Sequence, residues 1–396
     1  MGVAGRTGAN RSKIARNPFT PDWGAAPPAL VGRDNVLDRA TAAFAAGPAD
    51  PWFTHAYFGE RGVGKTVVLD ELGTRAATRG WAVAHTSVRS GGFIAPLLEV
   101  ELVEAARHLS RRPRLEWLEG DTSWTAGAAI GGPPGPVARA ERTRSVSRRL
   151  SDASAIEVAL RSLGELAASK HVGVLITVDE VHAAEHPELS ILSAAMQLVT
   201  KRRRLPVALV IAGLPNLPER LTGPDLTFLE RMSKAELGYL DPPVVRLALA
   251  GPLATNGAGI DEPALDGLVQ ASGGYPYLVQ LLGYHAWEVA GGRRITEANA
   301  AAAIIGAGEQ AAVNLFAPRW ARLSPKEQRF VAAMAQLGDG PVPIGDIRRI
   351  LGAATYEEVS YLRQRLIAKG ILRAAGHGVI TFTLPLFSRW VRSLDR

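Results

Sequence analysis

The fold is decided by one stretch of the sequence, Gly59-Glu60-Arg61-Gly62-Val63-Gly64-Lys65-Thr66. It fits the pattern G-x-x-x-x-G-K-[ST], in which glycines let the backbone wrap around phosphate groups. Residues 52–58 before it are strand-like, and residues 66–79 after it have the pattern of a helix, whose N-terminus offers unpaired N–H donors. The stretch therefore predicts a phosphate-binding loop (Walker A), with Lys65 on the β- and γ-phosphates of a nucleotide and Thr66 on Mg²⁺.

An acidic pair follows the most strand-like segment of the chain. Residues 172–178 are apolar and β-branched, as in a central strand buried on both faces, and they lead into Asp179 and Glu180. Open α/β sheets bind ligands at the carboxyl ends of their strands, so this pair (Walker B) is placed to act on the same nucleotide. We expect Asp179 to hold Mg²⁺ and Glu180 to be the general base. Such a pair is also a common helix cap, but the phosphate-binding loop favours the catalytic interpretation.

The rest of the chain predicts an α/β fold with a parallel P-loop sheet, a helical lid and a C-terminal winged helix. Strand and helix patterns alternate up to residue 241, a long helical region follows, and three helices with two strands complete the chain. The predicted parts are a flexible basic arm (1–29), an ATPase core (30–241), a helical lid (242–318) and a winged-helix domain (319–396). Residues 112–149 are an insertion in the core, rich in Arg, Gly and Pro.

Composition narrows the class of protein. The chain of 396 residues has a formal net charge of +7, which favours a polyanionic partner, although a general bias toward Ala, Gly and Arg weakens that signal. The sequence has no Cys, which excludes disulfides and thiolate metal sites and fits a reducing cytosol. No apolar run reaches the roughly 18 to 20 residues of a membrane helix, so we expect a cytoplasmic protein that does not engage a membrane.

Basic residues in the third helix of the predicted winged helix point to a nucleic-acid partner. Arg363, Arg365 and Lys369 lie at positions from which they can face a groove and its phosphates. We expect double-stranded DNA as the partner. The alternative is that the winged helix packs against protein and binds no DNA.

Several further residues are candidates for nucleotide contact, each with a structural alternative. Asn216, just after the strand-like run 206–213, is either a sensor of the γ-phosphate or the cap of a turn. Arg231 or Arg220 is a candidate to reach a phosphate across a subunit boundary in a homo-oligomer. Pro276 is either an ordinary first-turn proline or part of the lid's contact with the nucleotide.

These motifs together resemble the initiator branch of the AAA+ ATPases, which includes the origin-recognition proteins and the related STAND signalling ATPases. The resemblance covers roughly residues 30–394. It implies that Lys65, Thr66, Asp179 and Glu180 form the ATP and Mg²⁺ site. It also implies that Val31, Gly32 and Arg33 approach adenine, that Asn216 is a first sensor, and that Arg231 acts in trans.

One departure from the initiators is informative. Replication initiators have an Arg at the start of a lid helix, whereas Gly274-Tyr275-Pro276 resembles the G-x-P motif of the STAND relatives. The resemblance therefore implies a regulated, slow ATPase that couples its nucleotide state to a winged helix on DNA. The alternative is a nucleotide-gated scaffold in signalling or defence that binds protein partners and no DNA.

Overall fold

The computed structural model describes residues 16–21, 30–90, 92–111, 113, 115, 117, 152–352 and 355–394. The chain divides into two compact units. The sheet unit comprises Asn35–Gly59 and Lys65–Leu237, and the helical unit comprises Met1–Asp34, Glu60–Gly64 and Gly238–Arg396. The boundary runs through the phosphate-binding loop, whose tip belongs to the helical unit. Most of the predicted insertion at 112–149 and of the N-terminal arm lies outside the described residues.

The sheet unit is built on five parallel strands. They are β1 (Thr54–Phe58), β2 (Ala82–Ser87), β3 (Val174–Asp179), β4 (Val207–Gly213) and β5 (Ser233–Glu236), in the spatial order β2-β3-β4-β1-β5. Every residue of β3 and β4 is buried, as their apolar, β-branched sequences predict for strands covered on both faces. The predicted α/β class with a parallel P-loop sheet is confirmed.

Helices connect and cover these strands. They are α1 (Asp34–Ala46), α2 (Lys65–Ala77), α3 (94–109), α4 (Asp152–Ser169), α5 (186–202) and the short α6 (Leu217–Arg220) and α7 (Thr227–Glu230). The parallel register pairs Phe58 at the end of β1 with Gly213 at the end of β4, and β3 lies on the other side of β4. The loop after β1 and the acidic pair after β3 therefore emerge at the same edge of the sheet, one strand apart.

The helical unit contains the remaining helices and a small antiparallel sheet. The helices are α8 (Pro242–Thr255), α9 (Glu262–Ser272), α10 (Pro276–Ala290), α11 (Glu297–Ala321), α12 (Pro325–Gln336), α13 (Ile344–Leu351), α14 (Tyr356–Ala368) and α15 (Phe387–Ser393). The strands are β6 (Val342–Pro343), β7 (Leu372–Gly376) and β8 (Val379–Phe382), in the order β6-β8-β7. The sequence of α12, α13, α14 and the β7-β8 hairpin is consistent with a winged helix. Sequence patterns missed β6 and α15, which are short and become stable only by packing.

Residues 16–21 differ from the expected solvated arm. Phe19 is 2% exposed and packs against α10 at Gly283, where an added Cβ would lie 2.5 Å from its ring. Asn17 donates to the backbone oxygen of Tyr284 and to the Glu288 carboxylate. One aromatic side chain thus anchors a segment that its basic composition alone describes as solvated.

One helical run is more apolar than the sequence patterns indicated. Among the described residues, α11 alone is long and apolar enough to cross a membrane by length and composition, and a single such helix is weak evidence for a membrane span. Its small residues pack into the core of the helical unit at helical spacing: Ala300, Ala303, Ala307 and Ala311. This burial accounts for the apolar character of the buried face.

Candidate nucleotide-binding site

The phosphate-binding loop has the backbone that its glycines predict. Gly62 and Gly64 adopt φ angles of +81° and +92°, which a residue with a Cβ rarely adopts. Helix α2 begins at Lys65, so the N–H donors of its first turn follow the loop directly. The Lys65 side chain is buried within the loop, and its Nζ donates a hydrogen bond to the backbone oxygen of Gly59 at 2.9 Å.

The two predicted metal ligands meet in the sheet unit. Thr66 Oγ1 donates to Asp179 Oδ2 at 2.6 Å, although the two residues are 113 positions apart in the sequence. Among the described residues no group of three or more His, Asp or Glu could hold a metal ion by itself. Mg²⁺ at nucleotide sites commonly takes only one or two protein oxygens and completes its shell with water and phosphate. A hydroxyl and a carboxylate therefore fit Mg²⁺ held together with a triphosphate.

Glu180 directly follows β3 in a left-handed backbone conformation, with φ of +57°. This conformation is uncommon for a residue with a side chain, and such residues cluster at functional sites. The Glu180 backbone N–H donates to Asp179 Oδ1 at 2.7 Å. The Glu180 carboxylate is 40% exposed and lies 3.4 Å from His182 Nε2. The sequence did not predict His182 as a neighbour of Glu180, because a histidine two positions further along is also typical of an ordinary turn.

Asn216 and the candidate trans-acting arginines lie on or beside the short helices after β4. Asn216 is exposed, precedes α6, and makes no side-chain capping hydrogen bond to that helix. Arg220 donates to the backbone oxygen of Ala184 at 2.6 Å. Arg231 directly follows α7 and is exposed. Arg220 is exposed as well, so exposure does not distinguish the two arginines. Roles for Asn216 and Arg231 at a phosphate stay predictions.

The Val31-Gly32-Arg33 segment belongs to the helical unit and contacts the tip of the loop. Arg33 is 8% exposed, and its Nη2 donates to the backbone oxygens of Val63 at 3.0 Å and Gly238 at 2.6 Å. Burial lowers the pKa of Arg33 from its ordinary value. Gly32 has a φ of +77° and lies against Val244, which an added Cβ would approach to 2.4 Å. Val31 packs against the apolar core of the same unit. Contact of this segment with adenine stays a prediction.

The Gly274-Tyr275-Pro276 motif also reaches the loop tip within the helical unit. Pro276 is the first residue of α10. Tyr275 is fully buried, and its hydroxyl donates to the backbone oxygen of Arg61 at 2.8 Å. Burial raises the pKa of Tyr275 to about 12, so the hydroxyl keeps its proton at neutral pH. The residue of this motif predicted to contact the nucleotide was Pro276, whereas the side chain that contacts the loop is that of Tyr275.

Two of the three predicted DNA-binding residues lie next to a buried carboxylate. Arg365 Nε is 3.0 Å from Glu327 Oε1, and Lys369 Nζ is 2.7 Å from Glu327 Oε2. The Glu327 side chain is fully buried. Burial by itself raises the pKa of Glu327, but hydrogen bonds from Lys369 and Ser324 outweigh it and lower the pKa to about 2. Arg365 and Lys369 thus have a structural role that their sequence positions did not reveal. Arg363 is half-buried, and DNA contact by all three residues stays a prediction.

Comparisons with known proteins agree with the fold and the loop. Residues 29–211 match the family described as AAA ATPase domain, and residues 313–391 match a domain of unknown function (DUF8462). No curated protein matches the chain. The Walker-type ATPase paby2304 of Pyrococcus abyssi has a similar fold, with 14% identity and a TM-score of 0.59, covering 92% of this chain and 96% of that one.

Two other solved structures match at lower TM-scores. Cdc6p from Pyrobaculum aerophilum is 15% identical with a TM-score of 0.47, covering 95% of this chain and 98% of that one. The ORC1 protein of Aeropyrum pernix, solved in complex with DNA, is 17% identical with a TM-score of 0.43, covering 95% of each chain. Residues 29–211 match the AAA ATPase domain, and the five-stranded parallel sheet and the Walker motifs agree with that match, so the chain has the fold of a P-loop ATPase domain of the AAA+ type.

Proposed function

We propose that the chain is a Mg²⁺- and ATP-dependent switch that hydrolyses ATP slowly and couples its nucleotide state to its C-terminal domain. The observation that carries this proposal is the 2.6 Å contact between Thr66 Oγ1 and Asp179 Oδ2, directly after the buried Lys65. Residues predicted from separate motifs meet there with the chemistry that a metal-bound triphosphate requires.

Each residue has a defined task in this proposal. Lys65 and the first turn of α2 bind the phosphate oxygens, and Thr66 and Asp179 hold the metal ion. A bound Mg²⁺ neutralises the negative charge that develops on the phosphates. Glu180 orients a water molecule and accepts its proton, for which its carboxylate has to leave His182. Arg231, which is exposed on the sheet unit, completes the site of a neighbouring copy, so hydrolysis is slow until copies assemble.

The catalytic assignment is tested by ATP binding and turnover of two variants. We expect Lys65→Ala to lose most of its affinity for ATP, because the phosphates lose their buried cation. Glu180→Gln should keep ATP affinity and lose hydrolysis, because the amide cannot accept a proton. Normal ATP binding by Lys65→Ala, or full hydrolysis by Glu180→Gln, would overturn the assignment.

A polyanion, double-stranded DNA, is the proposed partner of the C-terminal domain. Residues 319–396 carry 13 Lys and Arg against six Asp and Glu, so this segment accounts for the whole net charge of +7. A shallow pocket on α14 is lined by Tyr356, Glu357, Ser360, Tyr361 and Gln364, of which Glu357 is acidic. From α13, the Arg348 guanidinium lies 4.8 Å from the centre of the Tyr356 ring. Around this pocket, the cationic side chain from α13 and the aromatic and amide side chains from α14 suit contacts to phosphates and base edges.

This partner is tested by titrating duplex DNA at several salt concentrations. Arg349, next to Arg348 on α13, is exposed as well. We expect binding that weakens with salt, and a double variant Arg348→Ala and Arg349→Ala should lower the salt slope by about 2. Arg107→Ala in the sheet unit is the control and should leave the slope unchanged. Absence of binding at low salt, with ADP retained on purification, would favour the signalling or defence scaffold instead.

A further inference from the structure

The tip of the phosphate-binding loop is held by two side chains from elsewhere in the helical unit. Tyr275 Oη donates to the backbone oxygen of Arg61 at 2.8 Å, and Arg33 Nη2 donates to the backbone oxygen of Val63 at 3.0 Å. Arg61 and Val63 are two of the four variable positions of the loop pattern. The sequence pattern therefore gives no reason to expect that their carbonyl groups have fixed partners.

Fixing a carbonyl group also fixes the next N–H group in the chain. A trans peptide unit is planar, and its C=O and N–H bonds point in opposite directions. A donor on the Arg61 oxygen therefore sets the direction of the Gly62 N–H, and a donor on the Val63 oxygen sets that of the Gly64 N–H. Successive N–H groups of a P-loop are the groups that surround the phosphates. The two contacts thus act on groups that bind the ligand.

Both donors are fixed in place. The Tyr275 side chain is fully buried, and its ring lies against those of Tyr239 and Tyr277, at 5.6 Å and 6.4 Å between ring centres. Arg33 is secured by its second bond, to the Gly238 oxygen at 2.6 Å. The tyrosine is also seated tightly against the loop, since an added Cβ at Gly62 would lie 2.0 Å from Tyr275 Oη. Neither contact resembles a surface hydrogen bond that exchanges readily with water.

We propose that Tyr275 and Arg33 are positioning residues of the phosphate-binding loop, which hold two of its carbonyl groups so that the Gly62 and Gly64 N–H groups are presented to phosphate. This inference rests on the proposed ATP-binding function. It assigns to the middle residue of Gly274-Tyr275-Pro276 a role in phosphate affinity.

The test compares two tyrosine-to-phenylalanine variants. Tyr275→Phe removes the hydroxyl that holds Arg61, and Tyr239→Phe removes a neighbouring hydroxyl, which donates to the Thr383 oxygen. The two rings lie 5.6 Å apart, so both variants disturb the same cluster. Dissociation constants for ATP, ADP, pyrophosphate and adenosine are measured by calorimetry on the full chain. Thermal unfolding of each variant checks that it is folded.

We expect Tyr275→Phe to weaken ATP, ADP and pyrophosphate binding about fivefold to tenfold, the loss of roughly one buried hydrogen bond, and to leave adenosine binding unchanged. Arg33→Lys should likewise weaken binding of the three phosphate-containing ligands and not of adenosine. For Tyr239→Phe, all dissociation constants should stay within twofold of wild type. Unchanged ATP affinity in Tyr275→Phe, or an equal loss for adenosine, would overturn the inference. If the wild-type chain itself binds no ATP, the proposed function fails, and the two failures are thereby distinguished.

Discussion

Two buried carboxylates, Asp179 in the sheet unit and Glu327 in the helical unit, differ in whether the chain pairs them with cations. Asp179 accepts hydrogen bonds from the Thr66 hydroxyl and the Glu180 N–H, and within the described part of the chain it forms no ion pair. Glu327 accepts from the Ser324 N–H and is paired with both Arg365 and Lys369. Among the described residues the first carboxylate has no cationic partner, as the proposed metal site requires, whereas the second is paired with two cations. What separates a binding site from a structural ion pair is therefore the number of cations that the protein itself supplies.

The largest effect is expected at Thr66. Thr66→Val keeps the shape of the side chain and removes the hydroxyl that meets Asp179, so ATP turnover should fall about 100-fold or more, as for loss of one group that stabilises the transition state. The measurement is steady-state phosphate release at saturating Mg²⁺. Thr74→Val on the same helix, where the hydroxyl only donates to the Asp70 oxygen, is the matched control and should turn over normally. Turnover by Thr66→Val within threefold of wild type would contradict the assignment of Asp179 and Thr66 to the metal.

Glu327 should matter for stability instead. Glu327→Gln leaves Arg365 and Lys369 without their carboxylate, and we expect the free energy of unfolding to fall by about 2 kcal/mol. Urea denaturation followed by circular dichroism measures it, and Glu357→Gln, at an exposed position of α14, is the control. An unchanged midpoint would mean that the ion pairs around Glu327 contribute little and that Arg365 and Lys369 are available for DNA after all.

The same carboxylate predicts a pH dependence. The pKa of Glu327 is about 2 in the folded chain and about 4.5 ordinarily. Its contribution to the free energy of unfolding is therefore present above pH 4.5 and is lost as the pH falls toward 2. We expect the wild-type chain to lose about 1 kcal/mol more stability than Glu327→Gln between pH 6 and pH 3.5. Urea unfolding of both proteins at these two pH values checks this. If both proteins lost the same amount of stability, Glu327 would not be the group that causes the pH dependence.

The smallest effect on stability is expected at an exposed ion pair. Arg107 and Glu104 on α3 are 60% and 63% exposed, and such pairs contribute about 0 to 0.5 kcal/mol. Arg107→Ala should therefore shift the urea midpoint barely beyond error. A loss as large as that of Glu327→Gln would show that burial does not explain the difference between exposed and buried pairs in this chain.

Sequence patterns predicted the features that are determined by residues close together in the sequence. The loop Gly59–Thr66 and the acidic end of β3 were recognisable because turn glycines, helix starts and buried strands have local signatures. The parallel sheet then brought Thr66 and Asp179 together. Contacts between distant segments had no such signature: Tyr275 meets Arg61 across 214 positions, and Arg365 meets Glu327 across 38.

The basic residues of α14 show most clearly which contacts cannot be predicted from sequence patterns. At the level of sequence, Arg365 and Lys369 look like a DNA-facing pair, and Glu327 looks like the third residue of an ordinary helix cap. The capping box with Ser324 is present, but its glutamate also faces α14 and binds both cations. Whether Arg365 and Lys369 face DNA or pair with Glu327 depends on how α12 packs against α14. The periodicity of the sequence does not determine that packing.

The proposal that Thr66 and Asp179 share a metal ion is tested most directly by the effect of Mg²⁺ on ATP affinity, measured by calorimetry for the wild-type chain and for Asp179→Asn. Removing the metal with EDTA should weaken ATP binding to the wild type about tenfold or more, because Thr66 and Asp179 then no longer act on the phosphates through a common ion. Asp179→Asn should bind ATP with nearly the same affinity with and without Mg²⁺. If the variant gains as much affinity from Mg²⁺ as the wild type does, Asp179 does not hold the metal and the account of the site is wrong.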